Sequence, residues 1–125
     1  MQEGVYCLVV ALDKNRTVAI GRKRQHFPEG FYCYINSSSD IKQSLTNHLS
    51  ETGKKTRIDE LIKKGRVINH KAIRTKKKIE ATVNKKIKEL SDQPVPFPGN
   101  THLYYFKECP LFLEQFHAFF EELRD

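Results

Sequence analysis

Apolar residues fall into short runs in the first part of the chain and into helical stripes further on. Gly4 to Leu12 is an apolar, β-rich run that is long enough for a buried strand, and the polar residues 13–15 close it as a turn. We expect a second strand at about Arg16 to Gly21 and a third at Phe31 to Asn36, after a basic loop over residues 22–30. These three strands are predicted to form an antiparallel meander.

Four helices are predicted from apolar residues at helical spacing, together with capping and stop residues. In chain order they are Asp40 to Ser50 with Gly53 as the stop, Thr56 to Lys64, Thr75 to Leu90, and residues 110–124 from Pro110. The side chains of the last helix that should turn inward are Phe112, Phe116, Phe119, Phe120 and Leu123.

Two further strands are expected around a proline-rich stretch. Arg66 to Asn69 is predicted as a brief edge strand and Thr101 to Phe106 as a closing strand, with Pro94, Pro96 and Pro98 between them. The pattern therefore predicts an α+β fold with a small antiparallel sheet, three strands plus edge strands, flanked by helices. We expect a single domain over residues 1–125.

The composition supports a core that needs neither a metal nor a disulfide. The chain has 125 residues, of which 38% are hydrophobic, including eight Phe and five Tyr. Its three cysteines are an odd number without CxxC spacing, so we interpret Cys7, Cys33 and Cys109 as small core residues. The longest apolar run is far short of the roughly 20 residues of a membrane helix, and no leader segment is recognised. We expect a cytoplasmic protein without a membrane partner.

Positive charge is concentrated in one third of the sequence. Residues 54–88 hold 14 of the 22 Lys and Arg residues and carry +11, whereas the remainder sums to −4. Folded onto one side, this segment would make a strongly positive surface whose natural partner is a polyanion. The alternative is a solvated, lysine-rich helical face. The candidate nucleic-acid contacts are Lys54, Lys55, Arg57, Arg74, Lys76, Lys77 and Lys78.

Candidate chemistry lies where tyrosines, a histidine and an isolated carboxylate approach this basic segment. Tyr6 and Tyr34 are on predicted strands that can bring their hydroxyls together, and Ser44 and His48 are four apart on one helix face. Glu80 is the only acid between Glu60 and Glu89. Each residue also has a structural interpretation: strand tyrosines are common, His48 can face solvent, and Glu80 can pair with a nearby lysine.

The order of these residues resembles the GIY-YIG nuclease superfamily, in particular its small Uri-type endonuclease branch. The two motif halves match Gly4-Val5-Tyr6 and Tyr34-Ile35-Asn36, and Phe27 to Ser38 is similar to the branch's FPxGxYxYVGSA stretch. Three shorter matches follow, at His48-Leu49, at Ile58-Asp59 with Leu61-Ile62, and at Thr101 to Phe106. The resemblance covers residues 4 to about 106.

The resemblance implies a three-stranded antiparallel sheet flanked by helices and a nuclease site on it. Tyr6 would be a general base or proton relay, assisted by Tyr34 and His48, with an arginine to steady the phosphate. Glu80 would hold a single divalent metal, usually Mg²⁺, that polarises the phosphodiester.

The arginine position of the family falls on Ser44 in this chain. A hydroxyl cannot replace a forked, permanently charged donor, and the loss of one such preorganised donor costs about 10²–10³ in rate. Asn36 stands where the motif has glycine. Lys42 or Arg57 are candidates for a compensating charge.

Three functions stay open at this point. The chain is either a metal-dependent endonuclease with weakened or rerouted cleavage, or a nucleic-acid-binding module that has lost turnover, or a protein-interaction domain with exposed C-terminal aromatics such as Phe112 or Phe119. The first two share a partner, for which we expect DNA. Sequence alone gives no oligomeric state.

Overall fold

A five-stranded antiparallel sheet forms the centre of the structure. The computed structural model describes residues 2–50, 56–97 and 102–123. The sheet has the strand order β5-β1-β4-β7-β6, and two further strands, β2 and β3, pair with each other. The bounds are β1 Gly4–Leu12, β2 Arg16–Ile20, β3 Lys23–Phe27, β4 Gly30–Ser38, α1 Ile41–Leu49, α2 Arg57–Lys64, β5 Arg66–Arg74, α3 Glu80–Leu90, β6 Gln93–Val95, β7 His102–Phe106 and α4 Glu114–Leu123. The expected α+β class with an antiparallel sheet is confirmed.

Strand β1 lies between β4 and β5, and all nine of its residues are buried. In the register with β4, Gly4 faces Ser38 and Tyr6 faces Asn36. Gly4 also faces Arg74 of β5, so one end of the sheet is made by the start of β1 and the ends of β4 and β5. The side chains of a strand alternate between the two faces, so β1 contributes to a core on each side of the sheet.

The two cores have different helices over them. The even-numbered residues of β1, from Tyr6 to Leu12, pack with α1, α2 and the β2–β3 hairpin, through side chains such as Ile41, Ile58 and Val18. The odd-numbered residues Val5, Cys7 and Val9 pack with α3 and α4. We call these the first and the second face of the sheet.

The predicted meander is wrong, because β2 does not pair with β1. Residues 22–30, predicted as a basic loop, contain β3, and β2 pairs only with β3 among the described strands. Val18, Ile20 and Phe27 of this hairpin are buried in the first core. An amphipathic hairpin of this kind buries more apolar surface by lying across the sheet than by extending it.

The predicted bounds of the first two helices agree with α1 and α2 to within one residue. Asp40 caps α1 by accepting a hydrogen bond from the backbone N–H of Gln43. Thr56 and Asp59 form a capping box at the start of α2. The predicted stop at Gly53 lies outside the described residues.

The boundaries that depend on pairing between strands were predicted less well. β5 runs to Arg74, well beyond the expected Asn69, because it pairs with β1 from Gly4 to Ala11. The predicted start of the next helix at Thr75 is therefore wrong, and α3 begins at Glu80. β6 was not predicted at all, and the predicted strand start at Thr101 lies outside the described residues.

The C-terminal helix begins later than expected. Pro110–Phe112 is a short 3₁₀ turn, and α4 follows at Glu114. Phe116 and Phe120 are buried as predicted, but the inward direction predicted for Phe112 is wrong, since its residue is 87% exposed. The 3₁₀ turn places Phe112 outside the stripe that α4 presents to the sheet.

The cysteines are free thiols, as expected for core residues. Cys7 and Cys33 are fully buried on the second face, and Cys109 is half-buried. Burial raises the pKa of the Cys33 thiol well above its usual value. No helix in the described residues has the length and apolar character needed to span a bilayer.

The two edges of the sheet differ in length and chemistry. β6 has three residues, includes Pro94 and is followed by Pro96. β5 has nine residues, and its outer edge pairs with no strand in the described parts of the chain. Arg66, His70 and Arg74 of β5 are exposed.

Two phenylalanines separated by eight positions test this packing. Phe120→Ala should lower the free energy of unfolding by about 3–5 kcal/mol, because Phe120 is 1% exposed in the second core. Phe112→Ala should change it by less than about 0.5 kcal/mol, because that ring already faces solvent. Urea unfolding of both variants measures the difference, and equal losses would contradict the burial described here.

Candidate functional site

A small cleft opens on the first face, at the end of the sheet where β1 begins. It has a volume of about 150 Å³ and is lined by Tyr6, Tyr34, Asn36, Ser44, Asn47, His48 and Thr56. Four residues singled out in the sequence, Tyr6, Tyr34, Ser44 and His48, therefore lie in one place. Strands β1 and β4 supply the tyrosines and α1 supplies the other two.

A continuous chain of hydrogen bonds links three side chains beside this cleft. The Tyr6 hydroxyl is 2.9 Å from Nε2 of His48, and Nδ1 of the same ring is 3.0 Å from Oδ1 of Asp59. All three residues are buried. Sequence reasoning noted Asp59 within a matched motif but gave it no role, since its contact with His48 forms only when α1 and α2 meet.

The partners of the His48 ring fix the direction of these bonds. An ionised carboxylate only accepts hydrogen bonds, so Nδ1 of His48 carries the proton and donates to Asp59. When the imidazole is neutral, Nε2 then has the free lone pair and accepts a hydrogen bond from the Tyr6 hydroxyl. The other carboxylate oxygen of Asp59 accepts from the backbone N–H of Thr56 at 2.7 Å and from its hydroxyl at 3.1 Å. The capping box of α2 thus holds the orientation of His48.

Tyr6 is held in its neutral phenol form. Burial raises its pKa, the nearby Tyr34 adds to the effect, and the charge of Asp59 raises it further, while a hydrogen bond from Asn36 partly offsets them. The phenol therefore keeps its proton until strongly alkaline pH. At neutral pH Tyr6 carries its hydroxyl proton and can donate it in a hydrogen bond to a neutral His48 ring.

Asn36 occupies part of the cleft beside the second tyrosine. Its Nδ2 donates to the Tyr34 hydroxyl over 3.3 Å, and its Oδ1 accepts from the backbone N–H of Ser37 at 2.9 Å. The rings of Tyr6 and Tyr34 lie 6.3 Å apart between centroids. A glycine at position 36 would leave this space open.

Ser44 lies one helical turn before His48, on the same face of α1. Its hydroxyl is 2.6 Å from the hydroxyl of Ser38 at the end of β4. The Ser44 hydroxyl is therefore already hydrogen-bonded to the hydroxyl of Ser38. A hydroxyl at this point supplies no permanent positive charge.

Neither candidate for a compensating charge is among the described residues that line the cleft. The Arg57 guanidinium packs against Gly21, at the turn between β2 and β3. Lys42 is exposed on α1. Gly21 has a φ of 63°, which favours glycine, and a Cβ there would meet this guanidinium.

Contrary to the expectation from the sequence, Glu80 does not line the cleft that contains Tyr6. Its Oε1 accepts a hydrogen bond from the Ser37 hydroxyl at 2.9 Å, at the start of α3. Ser37 follows Ile35 at the two-residue period of β4, so it points to the second face, whereas Tyr6 points to the first. The adjacent residue Ser38 reaches Ser44, so the two places meet at the rim of the sheet.

Glu80 lines a separate cleft of about 530 Å³ at this rim. The residues around it are Glu3, Gly4, Val5, Ser37, Ser38, Ser39, Thr75, Lys76, Lys77, Lys78, Ile79, Glu80 and Ala81. Three predicted nucleic-acid contacts, Lys76, Lys77 and Lys78, are therefore next to Glu80. Gly4 has a φ of 155°, and a Cβ there would overlap the carbonyl of Ile73, so glycine lets β5 close this end of the sheet.

The described positive residues of the segment 54–88 do not all lie on one side of the sheet. Arg57, Lys63 and Lys64 are on α2, which covers the first face, whereas the lysines of α3 are on the second. Arg74 is exposed at the end of β5, near Lys76 to Lys78. Lys54 and Lys55 lie outside the described residues. The two helices pack on opposite faces of one sheet, so their charges are separated.

The donor groups fit only a sparse metal site. In the described parts of the chain no three His, Cys, Asp or Glu residues form a cluster suited to a metal. Both oxygens of Asp59 are occupied by His48 and Thr56. Mg²⁺ often uses one or two carboxylates and fills its remaining positions with water and substrate phosphates, and Glu80 can serve as one carboxylate of that kind. The role of Glu80 as a metal ligand stays a prediction.

The direction of the hydrogen-bond chain can be tested by nitrogen NMR of His48. In the wild-type protein near neutral pH we expect Nδ1 to be protonated and Nε2 to carry the lone pair, because Asp59 accepts from Nδ1. Asp59→Asn should lose or reverse this preference, since an amide can also donate. Asn47→Ala, which changes a neighbouring cleft residue on α1, is the control. Protonation of Nε2 in the wild type would contradict the assigned direction.

A search of curated proteins and a search of solved structures give no match to this chain. A match to one protein family extends over residues 5–125, and so over nearly all of the structure described above. The chain belongs to the family described as a domain of unknown function, DUF123.

Proposed function

We propose that this chain is a GIY-YIG endonuclease-like protein that binds nucleic acid, with its phosphodiester hydrolysis weakened or lost. The observation that carries the proposal is the hydrogen-bonded chain from Tyr6 through His48 to Asp59, in a cleft that also holds Tyr34. Tyr6, Tyr34 and His48 stand at the positions that the sequence resemblance assigns to the two tyrosines and the helix histidine. If the tyrosines only packed in the core, they would not need a buried histidine hydrogen-bonded to both a phenol and a carboxylate.

The chain of hydrogen bonds suits proton transfer from an attacking water. As the water oxygen forms its bond to phosphorus, its proton passes to the Tyr6 oxygen while the phenol proton passes to Nε2 of His48. The bond from phosphorus to the leaving oxygen breaks, and that oxygen takes a proton from solvent. Asp59 stabilises the imidazolium that results. The raised pKa of Tyr6 is compatible with this relay, because no free phenolate is required.

The weakness of the site is the missing positive charge. Ser44 offers a hydroxyl already paired with Ser38, and Arg57 packs against the hairpin turn. The negative charge that builds on the phosphoryl oxygens therefore lacks a preorganised guanidinium, which costs about 10²–10³ in rate.

The separation of Glu80 from the cleft adds to this weakness. When bound, Mg²⁺ would polarise the phosphodiester as a Lewis acid, and Glu80 is the residue that would hold it. Its carboxylate is on the rim, in the cleft that Lys76, Lys77 and Lys78 also line, and it accepts a hydrogen bond from Ser37. We therefore propose that the protein binds nucleic acid and hydrolyses it slowly or not at all.

Two alternatives keep some support. An active Mg²⁺-dependent DNA endonuclease would need Lys42 or Arg57 to move into the cleft when the substrate binds. A protein-interaction domain is favoured by one observation, the 87% exposure of Phe112 on the 3₁₀ turn.

Restoring the missing arginine tests the catalytic part of the proposal. The double variant Asn36→Gly/Ser44→Arg should nick plasmid DNA in Mg²⁺ or Mn²⁺ about 10²–10³ times faster than the wild type, since the added fork lies one turn before His48. Adding Glu80→Ala should abolish the gain. Gel assays on plasmid and branched DNA measure both effects.

The matched control is Asn36→Gly/Thr46→Arg, which adds the same charge at an exposed position of the same helix. This variant should not nick faster than the wild type. If the Ser44→Arg double variant keeps its circular dichroism spectrum, binds DNA and still fails to nick, the missing arginine is not the main defect. The chain is then a binding module.

Binding itself should depend strongly on salt. Contacts between lysines or arginines and phosphates release counterions, so log K for duplex DNA should fall against log salt with a slope of about −0.9 for each phosphate neutralised. Fluorescence anisotropy over a salt series measures the slope. Absence of binding at low salt, or a slope near zero, would remove the nucleic-acid proposal.

A further inference from the structure

The β2–β3 hairpin is a second concentration of positive charge, outside the segment that the sequence pattern emphasised. Residues 16–27 contain four Lys or Arg residues and no Asp or Glu. They lie in a part of the chain that otherwise carries net negative charge. The resemblance gave no role to this hairpin, and the proposed function does not use it.

One side of the hairpin is apolar and the other is polar and exposed. Val18, Ile20 and Phe27 are buried in the first core. In the register of the hairpin, Thr17 faces His26 and Ala19 faces Arg24 on the opposite side. These four residues are all exposed.

The turn carries two further exposed charges. Arg22 and Lys23 are exposed there, next to Gly21. The Arg57 guanidinium packs against Gly21 from α2. Exposed cationic side chains of the hairpin and of α2 therefore lie near each other around Gly21.

The hairpin also borders the cleft that contains Tyr6, through contacts on two sides. At its turn it meets Arg57, and the preceding residue, Thr56, lines the cleft. On β3, the Gln25 side chain donates to the Pro96 carbonyl at 2.8 Å. The next residue, Phe97, packs edge-on against the ring of Tyr34, with 6.3 Å between centroids.

We propose that the exposed side of the β2–β3 hairpin docks the phosphate backbone of duplex DNA and delivers it to the cleft. The inference rests on the proposed function and names its substrate class. The surface is complementary in charge to a polyanion, and a two-stranded ribbon has dimensions that a duplex groove admits. Single-strand binders stack bases on aromatic rings, and residues 16–26 include no Phe, Tyr or Trp. Duplex is therefore the form that this surface fits.

Two double variants that remove equal charge test the inference. Arg22→Gln/Arg24→Gln neutralises the hairpin, and Lys85→Gln/Lys88→Gln removes two exposed charges from α3, on the second face. Binding of a short DNA duplex is measured over a salt series. The hairpin variant should bind at least about tenfold more weakly at low salt, with a slope shallower by about 1.8. The α3 variant should keep a slope close to that of the wild type.

The outcomes separate the two proposals. If the wild type binds no DNA at low salt, the proposed function fails and the hairpin inference fails with it. If the wild type binds duplex and the hairpin variant binds equally well, the hairpin inference is overturned and the proposed function stands. Equal losses in the two variants also overturn it, because binding then follows total charge. Tighter binding of the matching single strand than of the duplex overturns the choice of duplex.

Folding of the variants is checked by thermal unfolding. Arg22 and Arg24 are exposed, so their neutralisation should leave the melting temperature close to that of the wild type. If the first variant unfolds, Lys23→Gln/Arg57→Gln removes two charges from the same surface and carries the same expectations.

Discussion

Burial of β1 on both faces is the constraint from which the rest of the structure follows. A strand with nine consecutive buried residues needs a hydrogen-bonded neighbour on each side and a covering layer above and below. β4 and β5 meet the first requirement, and helices on both faces with the hairpin meet the second. Because side chains alternate between the two faces along β1, Tyr6 lies on the face covered by α1. The position of the cleft is thus a consequence of packing around one strand.

Asp59 connects α1 and α2, because it caps the start of α2 and also contacts His48 of α1. One carboxylate oxygen is hydrogen-bonded to His48 of α1 and orients its ring. The other accepts a hydrogen bond from the backbone N–H of Thr56 at the start of α2. A change that loosens the first turn of α2 will therefore also release the imidazole from its fixed orientation. The integrity of the cleft depends on two helices and not on α1 alone.

The features that could be predicted from sequence are those decided within a few residues. The helix starts predicted at Asp40 and Thr56 are within one residue of α1 and α2. The order of Tyr6, Tyr34, Ser44 and His48 anticipated a shared cleft. The features that could not be predicted depend on pairing between distant segments. The hairpin partner of β2 is one example, and the face on which α3 places Glu80 is another. Asp59 was overlooked because its role requires α1 and α2 to meet, which no local pattern records.

The unequal edges of the sheet bear on how copies of the chain meet one another. A long strand with an open side is a template on which a second molecule can add its own strand. At the short edge, the prolines of and beside β6 remove the backbone donors that such growth needs. At the long edge, two antiparallel copies paired along β5 would bring Arg66 of one copy beside Arg74 of the other. Self-association at the short edge is thus disfavoured by the missing backbone donors of the prolines. At the long edge it is disfavoured by electrostatic repulsion, which salt or a bound polyanion would screen.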